Sequence, residues 1–332
     1  MRSKILELLR SQQEGCISGE EIASRLGVSR TAVWKHIKEL KAAGYNIESR
    51  ARSGYCLTGT PDRLLPELIT HNLPTKLLGQ SVISFDEVRS TNDEAKKAAA
   101  AGADEGTVVV SEMQSTGKGR LERSFFCPRG GVWFSVILRP PFLPQEAPKC
   151  TLLAAVAVAK AMQELGVEAG IKGPNDIYCQ GRKLTGILTE MSAEMDRINY
   201  VVIGTGINVN IPLQSFPEDL QDKAGSMSQL LGHEVDRVAF LQRVLQHMEA
   251  LYIDVLKNGF AGLLDQWRQH SITLGQEINV LGLQETFAGV AKDIDADGAL
   301  LVETPGGLRR VLAGDVSIRP RKLTDIERYK AR

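Results

Sequence analysis

Little in this chain is extreme, and what it lacks removes most specialised protein classes. Cysteine is sparse: Cys16, Cys56, Cys127, Cys150 and Cys179 stand far apart, with no C-x-x-C pair and no histidines at ligand spacing. The five read as reduced, mostly buried thiols, and a zinc site is excluded. Long apolar runs are also absent. The nearly uncharged stretch 150–159 falls far short of the ~18 residues of a membrane span. Residues 1–10, with Arg2, Lys4, Glu7 and Arg10, lack the apolar core of a signal peptide, so a cytoplasmic location is expected. Net charge is missing too: forty basic residues balance forty acidic ones, which argues against a coat of nucleic acid over the whole surface. Neither common nucleotide loop is present. A P-loop on Gly117 needs glycine where Glu112 stands and Ser or Thr where Gly119 stands. A dinucleotide loop starting at Gly117-Lys118-Gly119 meets Glu122, and one starting at Gly204-Thr205-Gly206 meets Val209.

What is there is a chain of 332 residues, 43% apolar, long enough for two or three domains. Neutrality hides a local imbalance, since residues 1–58 hold ten Lys/Arg against six Asp/Glu, an excess of four. That segment has the grammar of a winged helix-turn-helix. A short amphipathic helix over 20–26 stops at Gly27, and Ser29 caps a second helix reaching about residue 43, with Val33, Ile37 and Leu40 on one face. Residues 47–57 then alternate as two short strands around a basic tip, 50–54. Ser29, Arg30, Thr31, Lys35 and His36 lie toward the exposed start of the second helix, where a major groove is read; Arg50 and Arg52 reach flanking phosphates. The same module also serves protein contacts, but the basic excess favours DNA. Pro61 and the composition shift at 59–62 set the end of this domain at residue 61.

From 62 to 270 strands alternate with alanine-rich helices. Strands are expected at 81–88, 106–114, 131–140, 186–191 and 198–210, and helices at 92–101, 152–165 and 238–257. This is a mixed α/β domain, read as a sheet with helices packed on one side, strand order left open. Residues 271–332 carry short strands at 276–283, 286–295, 299–304 and 308–314 between glycine turns, the pattern of a small β-barrel.

Five short stretches of the central domain carry chemistry. Ser90-Thr91-Asn92 opens a helix, where capping is the ordinary role and gripping a small polar ring the other. Gln114 offers a donor and an acceptor at once. The loop Ser115-Thr116-Gly117-Lys118-Gly119-Arg120-Leu121-Glu122-Arg123 interleaves glycine with cations, which suits either a phosphate cradle or a flexible surface turn. Lys172-Gly173-Pro174-Asn175-Asp176 sets a cation and a carboxylate on a proline turn. Lys183 precedes a strand in which Gly186 allows close approach by a ligand.

In this order, together with Arg182 to Leu188 and Gly204-Thr205-Gly206-Ile207-Asn208, these stretches resemble the biotin protein ligases. The preceding winged helix makes the chain similar to their bifunctional type, which is also a biotin operon repressor. The resemblance implies a class II synthetase-like central domain, an SH3-like C-terminal domain, and ATP-dependent formation of biotinyl-5'-AMP with magnesium present. Biotin then passes to a lysine of the biotin carboxyl carrier protein of acetyl-CoA carboxylase. It implies Ser90, Thr91, Asn92 and Gln114 on the ureido ring, and Lys118, Gly119 and Arg120 folded over biotin. Lys118, Arg120, Arg123, Asp176 and Asn208 serve the adenylate, and Asp176 a magnesium ion. Lys183 and Arg120 carry the catalysis. It also implies a homodimer, promoted by ligand, that binds operator DNA. Three positions depart from the family pattern: Lys118 replaces the first loop arginine, Glu122 its last glycine, and Gly173 a tryptophan. On these departures a metabolite-sensing repressor with impaired ligase activity is the alternative; a lipoate ligase fits the loop and the DNA-binding head less well.

Overall fold

Serine caps and a left-handed glycine shape the first of two compact units, Met1–Leu68. The structure is a computed structural model that describes residues 1–12, 15–51, 53–119, 124–282, 286–312 and 316–320. Helix α1 (Arg2–Arg10) buries Ile5, Leu6 and Leu9. In α2 (Gly19–Leu26) the Ser18 side chain accepts from the Glu21 N–H, and Gly27, at φ 66°, ends the helix in the conformation a side chain resists. Ser29 caps α3 (Arg30–Ala42) through the Ala32 N–H, and Val33, Ile37 and Leu40 are its buried face, as the spacing predicts. Strands β1 (Asn46–Arg50) and β2 (Gly54–Gly59) pair antiparallel as the wing. Pro61 packs against Gly44, and the compact unit runs on to Leu68 in the short helix α4 (Pro66–Ile69).

One expectation fails in this unit. Cys16 and Cys56 are joined as a disulfide, not free thiols. The backbone bridge between Ile17 and Tyr55 sets the two cysteines on adjacent strands, a juxtaposition across 40 residues that spacing does not reveal. Cys127, Cys150 and Cys179 are free and buried.

In the second unit, Ile69–Arg332, the large sheet has the order β3-β4-β6-β10-β9-β8-β7, with β5 paired to β4. Its strands are β3 (Val82–Val88), β4 (Val108–Lys118), β5 (Ser124–Cys127), β6 (Val132–Leu138), β7 (Gly170–Lys172), β8 (Asp176–Cys179), β9 (Arg182–Ala193) and β10 (Ile198–Ile207). Only β3 and β4 run parallel; the other pairs are antiparallel. The helices are α5 (Thr91–Ala100), α6 (Lys149–Glu164), the short α7 (Glu218–Gln221) and α8 (Met227–Leu231), α9 (Arg237–Asn258) and α10 (Ala261–His270).

Helices cover both faces of the sheet, not one. Neighbouring residues of a strand point to opposite faces. Lys96 of α5 reaches Glu190 of β9, whereas Thr151 of α6 donates to Thr189, the residue before it. On the α5 face Ala95 and Ala99 pack with Val109, Ile137 and Val202; on the other, α6 lies against α9 and α10. A buried ion pair joins β4 to α9: Arg237 donates to Glu112 at 3.0 Å and to the Gly131 carbonyl at 2.9 Å. Such a pair is costly to break from one side, so it fixes where β4 lies.

The C-terminal strands β11 (Glu277–Gly282), β12 (Thr286–Ile294), β13 (Leu300–Thr304), β14 (Gly307–Val311) and β15 (Val316–Pro320) form a five-stranded antiparallel sheet, ordered β14-β13-β12-β11-β15. No helix among the described residues is long and apolar enough to cross a membrane.

Candidate active site

Glycine sets the floor of the site. Gly206 of β10 pairs in register with Gly186 of β9 and, on its other side, with Trp133 of β6; Gly204 pairs with Leu188 and Ser135. These residues share the α5 face, and their missing side chains leave the strand surface open. The vacated space is contested: a Cβ on Gly204 would stand 1.9 Å from Asn92 Oδ1, and one on Gly206 or Gly186 2.9 or 2.8 Å from the Phe125 ring. Over this floor lies a small open cleft of about 30 Å³, lined chiefly by Ser90, Thr91, Asn92, Gln114, Lys118 and the three glycines.

The start of α5 supplies the polar wall. Ser90 sits at the N-cap, but its side chain makes no capping bond; the Thr91 N–H, the first of the helix, donates to Gln114 Oε1 at 2.6 Å. Capping, the ordinary reading of Ser90-Thr91-Asn92, is therefore wrong for the serine side chain. Ser135 Oγ donates its one proton to Asn92 Oδ1 at 2.7 Å and accepts from the Thr91 hydroxyl at 2.8 Å, and Asn92 Nδ2 donates to Glu190 at 2.8 Å and the Leu188 carbonyl at 3.2 Å. Asn92 is thus committed to the wall, while Ser90 and Gln114 line the cleft beside it.

Charge gathers at the rim. Lys118 donates to Asp93 at 2.7 Å, and Lys96 bridges Asp93 and Glu190. Burial pushes the Asp93 carboxyl up, but the hydrogen bonds from Lys118 and Lys96 outweigh it and hold it below the usual carboxylate range. Lys183 pairs with Asp176 at 2.7 Å and lies 5.4 Å from the Phe125 ring centroid. Its Nζ is 3.3 Å from where a Gly186 side chain would begin, so it borders the cleft. Asp176 Oδ1 is buried, and the Lys183 ammonium is its charge partner. Asn208 follows β10; its Nδ2 donates to the Lys183 carbonyl at 3.4 Å, and its buried Oδ1 has no partner among the described residues.

The structure therefore brings Ser90, Thr91, Asn92, Gln114 and Lys118 into one lining, with Lys183 and Asp176 beside it. Gly119 closes the described part of the loop, and Arg120 and Arg123 lie outside the described residues. Beside Gly173, which stands where the family pattern has tryptophan, the Trp267 indole of α10 lies 3.1 Å from where the glycine's Cβ would be, and Thr273 accepts the glycine N–H. Sequence reading missed Phe125, Ser135, Glu190 and Trp267. Ser135 had a signal: it is the one polar residue of the wholly buried strand VWFSVIL.

In the first unit Ser29, Arg30, Thr31 and Lys35 are exposed at the start of α3, and Arg50 is exposed with its guanidinium held by Glu48. His36 is half-buried against Glu39, and Arg52 lies outside the described residues. Trp34, 56% exposed on the same helix with Lys38 over its ring, was also missed.

A helix-turn-helix unit ahead of a glycine-floored cleft with a cationic rim defines a ligase joined to a DNA-binding domain, and comparison with known proteins places it. The HTH domain profile matches residues 2–56, the Biotin/lipoate A/B protein ligase family 84–208, and the Biotin protein ligase C terminal domain 273–319. The chain is 41% identical over 320 residues to the bifunctional ligase/repressor BirA of Bacillus subtilis, covering 96% of this chain and 98% of that one. It is 29% identical to the Escherichia coli BirA, covering 91% and 92%. The biotin protein ligase of Aquifex aeolicus, solved with biotin and ATP, superposes with a TM-score of 0.64 at 28% identity, over 73% of this chain and all of that one. The chain belongs to the biotin protein ligase family, in its bifunctional ligase/repressor form.

The floor generates a graded prediction. Gly204→Ala collides with Asn92, which is held on three sides, whereas Gly206→Ala meets the edge of the Phe125 ring, which can swing, and the Trp133 ring only at 3.3 Å. Calorimetric titration with biotin should show Gly204→Ala losing affinity by tenfold or more and Gly206→Ala by much less, with circular dichroism unchanged for both. Equal losses would mean that Asn92 is not fixed.

Proposed function

We propose that this chain joins biotin to ATP as biotinyl-5'-AMP, transfers the biotinyl group to a lysine of biotin carboxyl carrier protein, and represses transcription in response to biotin. The observation that carries it is the polar cleft over Gly186, Gly204 and Gly206 with Lys183 and Lys118 at its rim. A fused cyclic urea suits the floor because it is flat enough for bare backbone and needs donors and acceptors at one end. Ser90 and Gln114 supply those, with Thr91 and Asn92 shaping the wall.

The valeryl carboxylate then lies toward the cations. One of its oxygens attacks the α-phosphorus of ATP; an oxygen–phosphorus bond forms and the bond to pyrophosphate breaks. Lys183 neutralises charge growing on the transferring oxygens, an interaction stronger in the transition state than before it. In the second step a carrier lysine amine attacks the acyl carbon, AMP leaves with the bonding pair, and the amine gives up a proton. Asp176 would hold a magnesium ion arriving with ATP: it is a carboxylate beside the cleft, its Oδ1 paired with Lys183 at 2.7 Å, and magnesium takes one or two carboxylates and the rest from phosphate and water. The ion would neutralise phosphate charge. Arg120 and Arg123 close the loop over the adenylate, and Asn208 orients it.

The work divides along the chain: residues 1–61 read operator DNA through Ser29, Arg30, Thr31, Lys35 and His36 with Arg50 and Arg52 on phosphates, 62–270 catalyse, and 271–332 form the SH3-like domain. The protein works in the cytoplasm. Two of the departures that favoured a lapsed ligase have structural answers, since Lys118 keeps its charge at Asp93 and Trp267 occupies the space beside Gly173.

Lys183→Met should lower the rate of adenylate formation about 10²–10³-fold, the scale of losing one preorganised charge partner, with a much smaller change in biotin affinity. Pyrophosphate exchange measures it; an unchanged rate removes Lys183 from the chemistry. Adenylate should also drive dimerisation and thereby operator binding. Equal sedimentation with and without biotin plus ATP would leave that coupling without support.

A further inference from the structure

Gln114 can recognise a ureido ring only if its amide is presented one way round, because its oxygen and nitrogen are near-isosteric and opposite in role. Two neighbours fix the choice. The Thr91 N–H requires the oxygen and receives it at 2.6 Å; at the other end Gln114 Nε2 donates to Cys127 Sγ at 3.0 Å. Cys127 is the register partner of Gln114 across β4 and β5, and its own S–H points to the Phe125 carbonyl at 3.4 Å. The thiol is 3% exposed, and burial pushes it up to about 12, so it stays protonated and unreactive. Gln114 keeps one N–H and one lone pair for the cleft it lines.

A second observation ties the same sulfur to the loop. Between Gln114 and Gly117 the pairing of β4 with β5 shifts register, and a Cβ on Gly117 would stand 2.6 Å from Cys127 Sγ and 2.3 Å from the Phe125 carbonyl. The thiol therefore fills the inside of the bulge from which the glycine-cation loop departs. Among the described residues this sulfur is the only side-chain acceptor to which Gln114 Nε2 donates.

We infer that Cys127 is a positioning residue for biotin recognition: its sulfur accepts one N–H of Gln114, fixes the amide orientation, and so sets which ureido atoms the cleft accepts. It touches no reacting atom and acts through Gln114. The inference rests on the assignment of the cleft to biotin, and wild-type turnover of biotin and ATP checks that assignment separately.

Cys127→Ala removes the acceptor; Cys127→Ser restores one of similar size. In steady-state adenylation the alanine variant should raise the KM for biotin about tenfold, the factor that one net hydrogen bond is worth, with kcat and the KM for ATP within about twofold of wild type. The serine variant should return the biotin KM to within about threefold. In a Gln114→Ala background the Cys127→Ala change should have no further effect on biotin KM. The inference is overturned if Cys127→Ala leaves biotin KM unchanged, if serine fails to rescue it, or if the two changes add. A parallel loss in kcat, both KM values and melting temperature would also overturn it, since that is the mark of packing alone.

Discussion

The site depends on side chains that are not there. Three glycines on two adjacent strands remove the layer of atoms that would otherwise cover the sheet, and each vacancy is bounded by a side chain: the hydrogen-bonded Asn92 over Gly204, the Phe125 ring over Gly186 and Gly206. Because strand side chains alternate, these vacancies fall on the face where α5 begins and nowhere else. The backbone itself becomes the wall of the cleft, and a flat heterocycle can lie closer to it than any side chain would permit.

Around this floor each polar group holds the next. Ser135 anchors Thr91 and Asn92, Asn92 anchors on Glu190, and Glu190 binds Lys96, which with Lys118 holds Asp93. Gln114 joins the helix start to the loop stem. Such a network is stable only when its buried members are satisfied, and it is satisfied at its back while open at its front. Asp176, paired with Lys183, and Asn208, whose Oδ1 has no hydrogen-bond partner among the described residues, both lie on the side of Lys183.

Much of this was legible from the residues. Ser18, Gly27 and Ser29 obey local capping rules, so the helix-turn-helix followed from spacing, and the apolar strands of the large sheet stood out. What escaped was set by distant contacts. Strands β5, β7 and β8 have only three or four residues each and exist because longer neighbours pair with them. Helix α1 has Ile5, Leu6 and Leu9 at helical spacing, yet its flanking charges conceal the pattern. Ser90 obeys the capping rule in sequence and not in space: its side chain makes no capping bond, and the helix start is tied instead to Gln114, 23 residues away from Thr91. The Cys16–Cys56 bond and the covering of both sheet faces likewise depend on register, which no short window of sequence contains.

The claim on which the account stands is that the glycine floor and the Lys183 rim serve one ligand. A structure of the full chain bound to a non-hydrolysable analogue of biotinyl-5'-AMP tests it most directly. The account predicts the ureido ring against Gly186, Gly204 and Gly206, its polar end at Ser90 and Gln114, and the phosphate surrogate within hydrogen-bond distance of Lys183. An analogue seated elsewhere, for instance in the cavity beside Lys149 and Arg310, or one with its phosphate turned away from Lys183, would contradict it.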